Sequence, residues 1–292
     1  MDVVTACIAG QEVHRQWQAR SIRGKRIGSR QTPFGPSGEI FLADGEGHPF
    51  YLLPRYGPDL AKTAPRGINY RANLYALKDL GVRRILAWGS GGAITHSFAV
   101  GDLVVLSDLI DQTRFRAQTF FDNSPLGFLR QFPVFCPSMR RVVGEVLHDM
   151  KLVYHATGTA AVTEGPRLET PAEVRLLSSV GAEVVTHTFV PEMFLARELQ
   201  MCYAGVCYVV NYAEAGNREQ PFIGGGLFGT LDPDAGSKRL AGVVGSIGQI
   251  VSNVAAAVTE AGAACECDRT MAHHVERYGL SDDWHEWLAR DK

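Results

Sequence analysis

Apolar positions along this chain follow two alternating patterns. Some are short runs rich in β-branched residues; others are longer stretches with apolar residues at helical spacing. Residues 3–9 read as a first strand. Ile40–Ala43 and Phe50–Pro54 read as a hairpin around the turn Asp44-Gly45-Glu46-Gly47. Residues 69–80 carry Leu74, Leu77 and Leu80 at helical spacing, with Gly81 as the stop. Residues 84–88 predict a buried strand that runs into a loop, Gly89-Ser90-Gly91-Gly92, and 102–107 predict another strand. A helix is expected over 137–151 and a strand over 154–163. A second helix over 170–180 is capped by Thr170, with Pro171 at its first position. A strand over 183–188, a helix over 191–200, a long apolar strand over 201–211 and an amphipathic helix over 237–261 complete the series. This alternation predicts an α/β fold, a central mixed β-sheet flanked by helices on both faces. Ligands of such sheets bind beyond the carboxyl ends of strands. Asn211, Thr188, the Gly89 loop and Glu169 all end or follow predicted strands, so they are expected to converge.

Composition narrows the class. The 292 residues are 46% hydrophobic and 21% charged, enough for one large domain, and no Pro/Ser linker or charge block divides them. A main domain over 1–264 and a C-terminal extension over 265–292 are expected. The formal net charge of -2 provides no basic field for nucleic acid. The six cysteines are scattered, several within apolar runs, and are expected to be reduced in a cytoplasmic protein. The N-terminus lacks the basic and apolar regions of a signal peptide, and no apolar run reaches the ~18 residues of a membrane span. Cys265-Glu266-Cys267 and His273-His274 have neither of the usual structural zinc spacings, so no metal is expected. Trp284, Trp287 and Leu288 sit at helical spacing and are expected to dock a terminal helix.

The stretch Thr163-Glu164-Gly165-Pro166-Arg167-Leu168-Glu169-Thr170 and the later Val210-Asn211-Tyr212 carry the candidate chemistry. A carboxylate accepts hydrogen bonds, and a carboxamide both donates and accepts. Together Glu169 and Asn211 can read the N1–H, O6 and N7 edge of a 6-oxopurine. Taken singly, Glu169 also suits a helix start, Tyr56 a packing role, and Asn211 a strand end.

The ordered stretches Arg55-Tyr56-Gly57, Ile68-Asn69-Tyr70-Arg71-Ala72-Asn73-Leu74-Tyr75-Ala76-Leu77, Val100-Gly101-Asp102-Leu103-Val104-Val105, Leu109-Ile110-Asp111-Gln112-Thr113, Glu164-Gly165-Pro166-Arg167 and Val190-Pro191-Glu192 point to a family. The chain resembles the purine nucleoside phosphorylase and methylthioadenosine phosphorylase superfamily, in its trimeric branch. The resemblance implies cleavage of the N-glycosidic bond of a 6-oxopurine nucleoside or a 5′-modified relative such as methylthioinosine. Phosphate is the default acceptor, no cofactor is needed, and a homotrimer is implied. It gives Asn211 and Glu169 the catalytic base contacts, and assigns Leu168, His187 and Phe128 to base and sugar. Phe128 lies where family members send a His or Phe into the neighbouring subunit's site; plain packing is its other reading. Arg55, Tyr56, Gly89 and Thr188 are the implied phosphate ligands. Adenine-selective members usually have Asp in place of Asn211, whose N–H suits an oxo group.

The chain departs from the family pattern around the anion. Where a Gly-Gly-Ser/Thr-Gly turn is usual, it has Ile8-Ala9-Gly10-Gln11-Glu12, which lacks the hydroxyl and brings in a carboxylate. Arg55-Tyr56-Gly57 replaces Arg-His-Gly, the loop 58–62 lacks a second His, and Thr186-His187-Thr188 replaces the usual Asn/Gly-Met-Thr. Each missing charge-assisted bond removes about 1.5–3 kcal/mol of anion binding. Two alternatives therefore stand beside phosphorolysis: a hydrolase on the same fold with His187 assisting a water, and a non-catalytic purine-binding protein. The glycine-rich stretch 217–234 is expected to act as a lid.

Overall fold

A computed structural model describes residues 3–18, 22–57, 63–213, 235–261 and 264–289. Its strands are β1 (Thr5–Ala9), β2 (Gly24–Gly28), β3 (Gln31–Thr32), β4 (Gly35–Pro36), β5 (Ile40–Ala43), β6 (Phe50–Pro54), β7 (Arg84–Ala93), β8 (Leu103–Val105), β9 (Asp108–Gln112), β10 (Tyr154–His155), β11 (Thr159–Thr163), β12 (Val184–Thr186) and β13 (Cys202–Tyr212). Its helices are α1 (Gln11–Gln18), α2 (Tyr70–Asp79), α3 (Pro137–Asp149), α4 (Pro171–Ser179), α5 (Glu192–Glu198), α6 (Ala235–Ala261), α7 (Ala272–Tyr278) and α8 (Trp284–Ala289).

Eleven strands form one mixed sheet. Its main path runs β10-β8-β13-β7-β1-β6-β5-β2, and β12, β11 and β9 continue from the far end of β7. The sheet forks along β7. Arg84 to Ala87 pair with β1, whereas Gly92 and Ala93 pair with β12. On that edge Trp88 to Gly91 are left between two partners, and the fork opens there. On the other edge β13 runs parallel to β7 from Arg84 to Ala93. The expected loop Gly89-Ser90-Gly91-Gly92 is therefore strand. The continuous partner supplies these glycines with the ladder bonds that their sequence alone does not promise.

The predicted hairpin forms with antiparallel register Phe41↔Leu52. Residues 154–163 form two strands instead of one. Gly158 lies at the break, where a Cβ would run into the Val104 side chain. α4 begins as expected, with a reciprocal cap between Thr170 and Glu173 and Pro171 in its first turn. α1, β2 and β9 carry no clear sequence period and were not predicted.

Two apolar clusters cover the sheet. One brings Leu74 and Leu77 of α2 and Leu195 of α5 onto Ile8, Ile85 and Val209. The other brings Val142 and Val143 of α3 and Val243, Ile247 and Val254 of α6 onto Cys7, Leu86 and Val206. Lys238–Val258 is long and apolar enough to cross a membrane by length and composition, a test that a buried core helix also meets. Its apolar stripe is spent on the second cluster. The C-terminal extension joins the first cluster through Met271, Trp287 and Leu288. It is also tied down by Thr270 Oγ1 donating to Arg197 O at 2.7 Å. The Trp284 ring packs edge-on to Tyr75 at 4.9 Å.

Candidate active site

A cavity of about 130 Å³ opens at the fork. Glu169 and Leu168 close one side, Asn211 and Val210 another, and Gly91 and Gly92 form part of its wall. Three elements bring these together. The β7/β13 register slips between Val209 and Asn211, and this bulge re-aims Asn211 toward Gly92. A Cβ on Gly92 would stand 3.3 Å from Asn211 Oδ1, so the glycine leaves room for the amide. Asn211 Nδ2 donates to Tyr212 O at 2.9 Å. Glu169 immediately precedes the Thr170 cap of α4, in the loop after β11, and lines the cavity.

A short relay runs from Glu169. Thr163 Oγ1 donates to Glu169 Oε1 at 2.5 Å and lies 2.9 Å from His187 Nδ1. The threonine has one hydroxyl proton and gives it to the carboxylate, so Nδ1 must be the donor in the second contact. His187 thereby carries its proton on Nδ1 and offers the Nε2 lone pair. Burial holds its pKa below the ordinary imidazole value. Glu169, 3.9 Å away, pulls it up, and Arg116 pushes it down. His187 is a neutral acceptor at pH 7.

Below the relay, Thr186 Oγ1 donates to Ser90 O at 2.7 Å and stands 2.9 Å from Thr188 Oγ1. With the Thr186 proton spent on Ser90, the Thr188 hydroxyl donates to Thr186. An anion entering here must win that proton from Thr186. Tyr56 also lines the cavity, and burial pushes its phenol above its usual pKa, partly offset by Arg55, so it stays an O–H donor.

Two expected phosphate ligands are placed elsewhere. Arg55 is buried in a bidentate pair with Glu192, at 2.5 Å through Nε and 2.9 Å through Nη2. Its Nη1 donates to Trp88 O at 3.2 Å, and Tyr203 O–H donates to the same carboxylate at 2.8 Å. A buried guanidinium with so matched a partner stays with it, and Arg55 does not line the cavity. Gly89 likewise sits outside the lining. It is paired with Cys207, and a Cβ there would collide with Thr188 Oγ1 and the Phe189 ring. Its role is to let the Thr188 segment approach β7. No lysine or arginine lines the cavity among the described residues. Glu12 takes a hydrogen bond from Tyr208 O–H at 3.3 Å and is not part of the lining. Phe128 is 83% exposed and does not reach this chain's cavity. The loop 58–62 and the stretch 217–234 lie outside the described residues.

Sequence reasoning missed Arg116. Its side chain is fully buried. Nη1 donates to His187 O at 2.9 Å and Val190 O at 2.6 Å. Nη2 donates to Thr163 O at 3.0 Å and Glu164 O at 2.8 Å. One guanidinium thus clamps the relay's two loops together. Glu164 completes the knot, accepting from the backbone N–H of Arg114 at 2.6 Å and of Phe115 at 3.1 Å. The only available signal was a charged residue shortly after the stretch Leu109-Ile110-Asp111-Gln112-Thr113, and its partners are remote in sequence.

Known proteins share this chain's sequence and fold. The family model "Phosphorylase superfamily" matches residues 53–225. The chain is 38% identical over 215 residues to a probable 6-oxopurine nucleoside phosphorylase of Thermococcus kodakarensis, covering 71% of this chain and 79% of that protein. It is 42% identical over 191 residues to a probable S-methyl-5′-thioinosine phosphorylase of Methanothermobacter thermautotrophicus, covering 65% and 66% of the two chains. A crystal structure of a methylthioadenosine phosphorylase from an antarctic soil metagenomic library superposes with a TM-score of 0.82. That pair is 24% identical, and all of both chains is covered.

Proposed function

Because this chain belongs to the phosphorylase superfamily, we propose that it cleaves the N-glycosidic bond of 6-oxopurine nucleosides, 5′-modified ones included, with phosphate as acceptor. One observation carries the reading: Glu169 and Asn211, 42 residues apart in sequence, line a single cavity at the sheet's fork. Bond cleavage puts positive charge on the ribose and negative charge on the departing purine, and a site gains rate by favouring that separation. Asn211 N–H donates toward O6 and N7 as the base takes on charge, once it leaves Tyr212 O. Glu169 accepts the N1–H, with Leu168 against the base. The Nε2 of His187 accepts from a ribose hydroxyl and holds the sugar. The anion is held by neutral donors, the Tyr56 phenol and the Thr188 hydroxyl, with no cation among the described lining residues. No cofactor takes part.

The lack of a cation favours one second reading on the same fold, in which water replaces phosphate and His187 Nε2 accepts its proton. Base release from inosine, guanosine, methylthioinosine and methylthioadenosine, each with and without phosphate, separates the two. The expected result is phosphate-dependent release from the 6-oxo substrates with formation of a ribose 1-phosphate. Release at equal rate without phosphate establishes the hydrolase. Tight nucleoside binding without turnover in any condition leaves a binding protein.

The assembly we propose is a homotrimer. Phe115, Phe128 and Phe132 are each more than 70% exposed within one stretch of chain, and large apolar side chains so presented suit a subunit contact. Phe128 then covers the sugar end of the neighbouring cavity.

A further inference from the structure

Four cysteines with no shared sequence spacing meet away from the cavity. Cys136 is the N-cap of α3 and Cys202 opens β13; Cys265 and Cys267 flank Glu266 at the start of the extension. Their sulfurs all lie within 4.8 Å of one another. Cys202 and Cys265, 63 residues apart in sequence, stand at 3.4 Å. Thiolates about 2.3 Å from a tetrahedral ion lie roughly 3.8 Å from each other. A disulfide would require about 2.05 Å. The spacing is that of ligands around one ion. The buried thiols Cys7 and Cys207 show the ordinary use of cysteine in this chain, as small apolar fillers of the sheet's two faces. The group of four is different: each sulfur has other sulfurs as neighbours.

The surroundings suit a negatively charged centre. The Met139 N–H donates to Cys136 Sγ at 3.5 Å from the first turn of α3, where the helix dipole favours negative charge. The Arg197 guanidinium lies within electrostatic reach of Cys136 and Cys267. Cys136 and Cys202 are buried, while Cys265 and Cys267 are partly exposed, so an ion has a path of entry.

We infer that Cys136, Cys202, Cys265 and Cys267 form a structural site for one thiophilic divalent cation, zinc, that fastens the C-terminal extension to the main domain. Four thiolates complete a tetrahedron and leave no position for a reacting water, which separates this site from a catalytic one. Binding exchanges four S–H protons for the cation: each proton goes to solvent, each sulfur lone pair goes to the metal, and no electron is transferred. His273 and His274, adjacent in sequence to the Cys-x-Cys segment, take no part. His274 Nε2 is instead engaged with Phe128 O at 3.1 Å.

The test uses the full-length protein, grown with zinc and purified without oxygen in a phosphine reductant. Metal content and zinc K-edge X-ray absorption are measured. One zinc per chain with four sulfur neighbours at about 2.3 Å is expected. Cys265→Ser and Cys267→Ser should each lose the zinc and lower the thermal midpoint while keeping base release, since neither residue lines the cavity. Metal-free protein with four freely titrating thiols overturns the inference. So do sulfur–sulfur pairs under these conditions, or zinc bound through nitrogen or oxygen. The wild-type spectrum decides the matter even if both variants fail to fold.

Discussion

Under the proposed function, the choice between amide and carboxylate at position 211 sets which purine edge the cavity accepts. An amide offers an N–H to an oxo group, whereas an ionised carboxylate repels O6 and accepts from an amino group. Asn211→Asp is expected to lower the inosine-to-adenosine ratio of kcat/KM by at least about tenfold; an unchanged ratio removes Asn211 from base recognition. His187 provides a second test, through pH. Burial lowers its pKa, so it is neutral at pH 7 and protonates only below its ordinary value of about 6.5. Protonation puts a hydrogen on Nε2 and abolishes the acceptor. kcat/KM for inosine should therefore fall on the acid side, at a pH below the ordinary imidazole value of 6.5, and His187→Gln should flatten that limb while lowering the plateau. Glu169, Asn211 and Thr188 were legible in the sequence because each ends or follows a strand, where local pattern alone fixes position. Arg55 was legible as a residue, but its surroundings were not. Its partner Glu192 lies 137 residues away, and nothing local announces a buried pair that holds the guanidinium out of the cavity.

Loops carry the site, and elements decide whether they hold still. Arg116 spends its guanidinium on four carbonyls and one carboxylate, drawn from the loop after β11 and the segment after β12. Removing it takes this donor from the four carbonyls, while the Glu164 carboxylate keeps the backbone N–H groups of Arg114 and Phe115. Arg116→Met is expected to cost about 3–5 kcal/mol of stability, the range for breaking one side of a buried charged network. It should also raise KM, because Thr163 and His187 lose their common anchor. Urea unfolding and nucleoside kinetics on the same preparation check both; a stability loss with unchanged KM would make Arg116 purely structural. Helix caps and the hairpin were readable from sequence, since Thr170, Pro171 and the turn Asp44 to Gly47 are local signals. The strand identity of Gly89 to Gly92 was not. Glycine favours loops, and only the register with β13 overrides that preference.

At the scale of the whole molecule, the α/β fold followed from alternating periods, while the convergence of remote segments did not. The extension shows why. Its packing depends on Met271 and Trp287 finding the α2 and α5 side of the core, and on four sulfurs from three parts of the chain. The extension also reaches the Phe128 turn, because His274 contacts the carbonyl of Phe128, whose N–H donates to Pro125 O at 3.1 Å. That turn is thus held firmly while its ring projects into solvent. A fixed backbone presenting an 83% exposed phenylalanine is what a residue completing a neighbour's site requires. Phe128→Ala removes no buried contact within its own chain, so monomer stability should change by no more than about 0.5 kcal/mol. If the ring covers the neighbouring sugar, KM for inosine should rise about tenfold, the value of roughly 1.4 kcal/mol of lost contact. The variant should sediment as the wild type does, since one ring is a small part of a subunit contact. A trimer with unchanged KM would put Phe128 in the subunit contact and outside the site, and a monomer of wild-type activity would remove the shared cavity altogether.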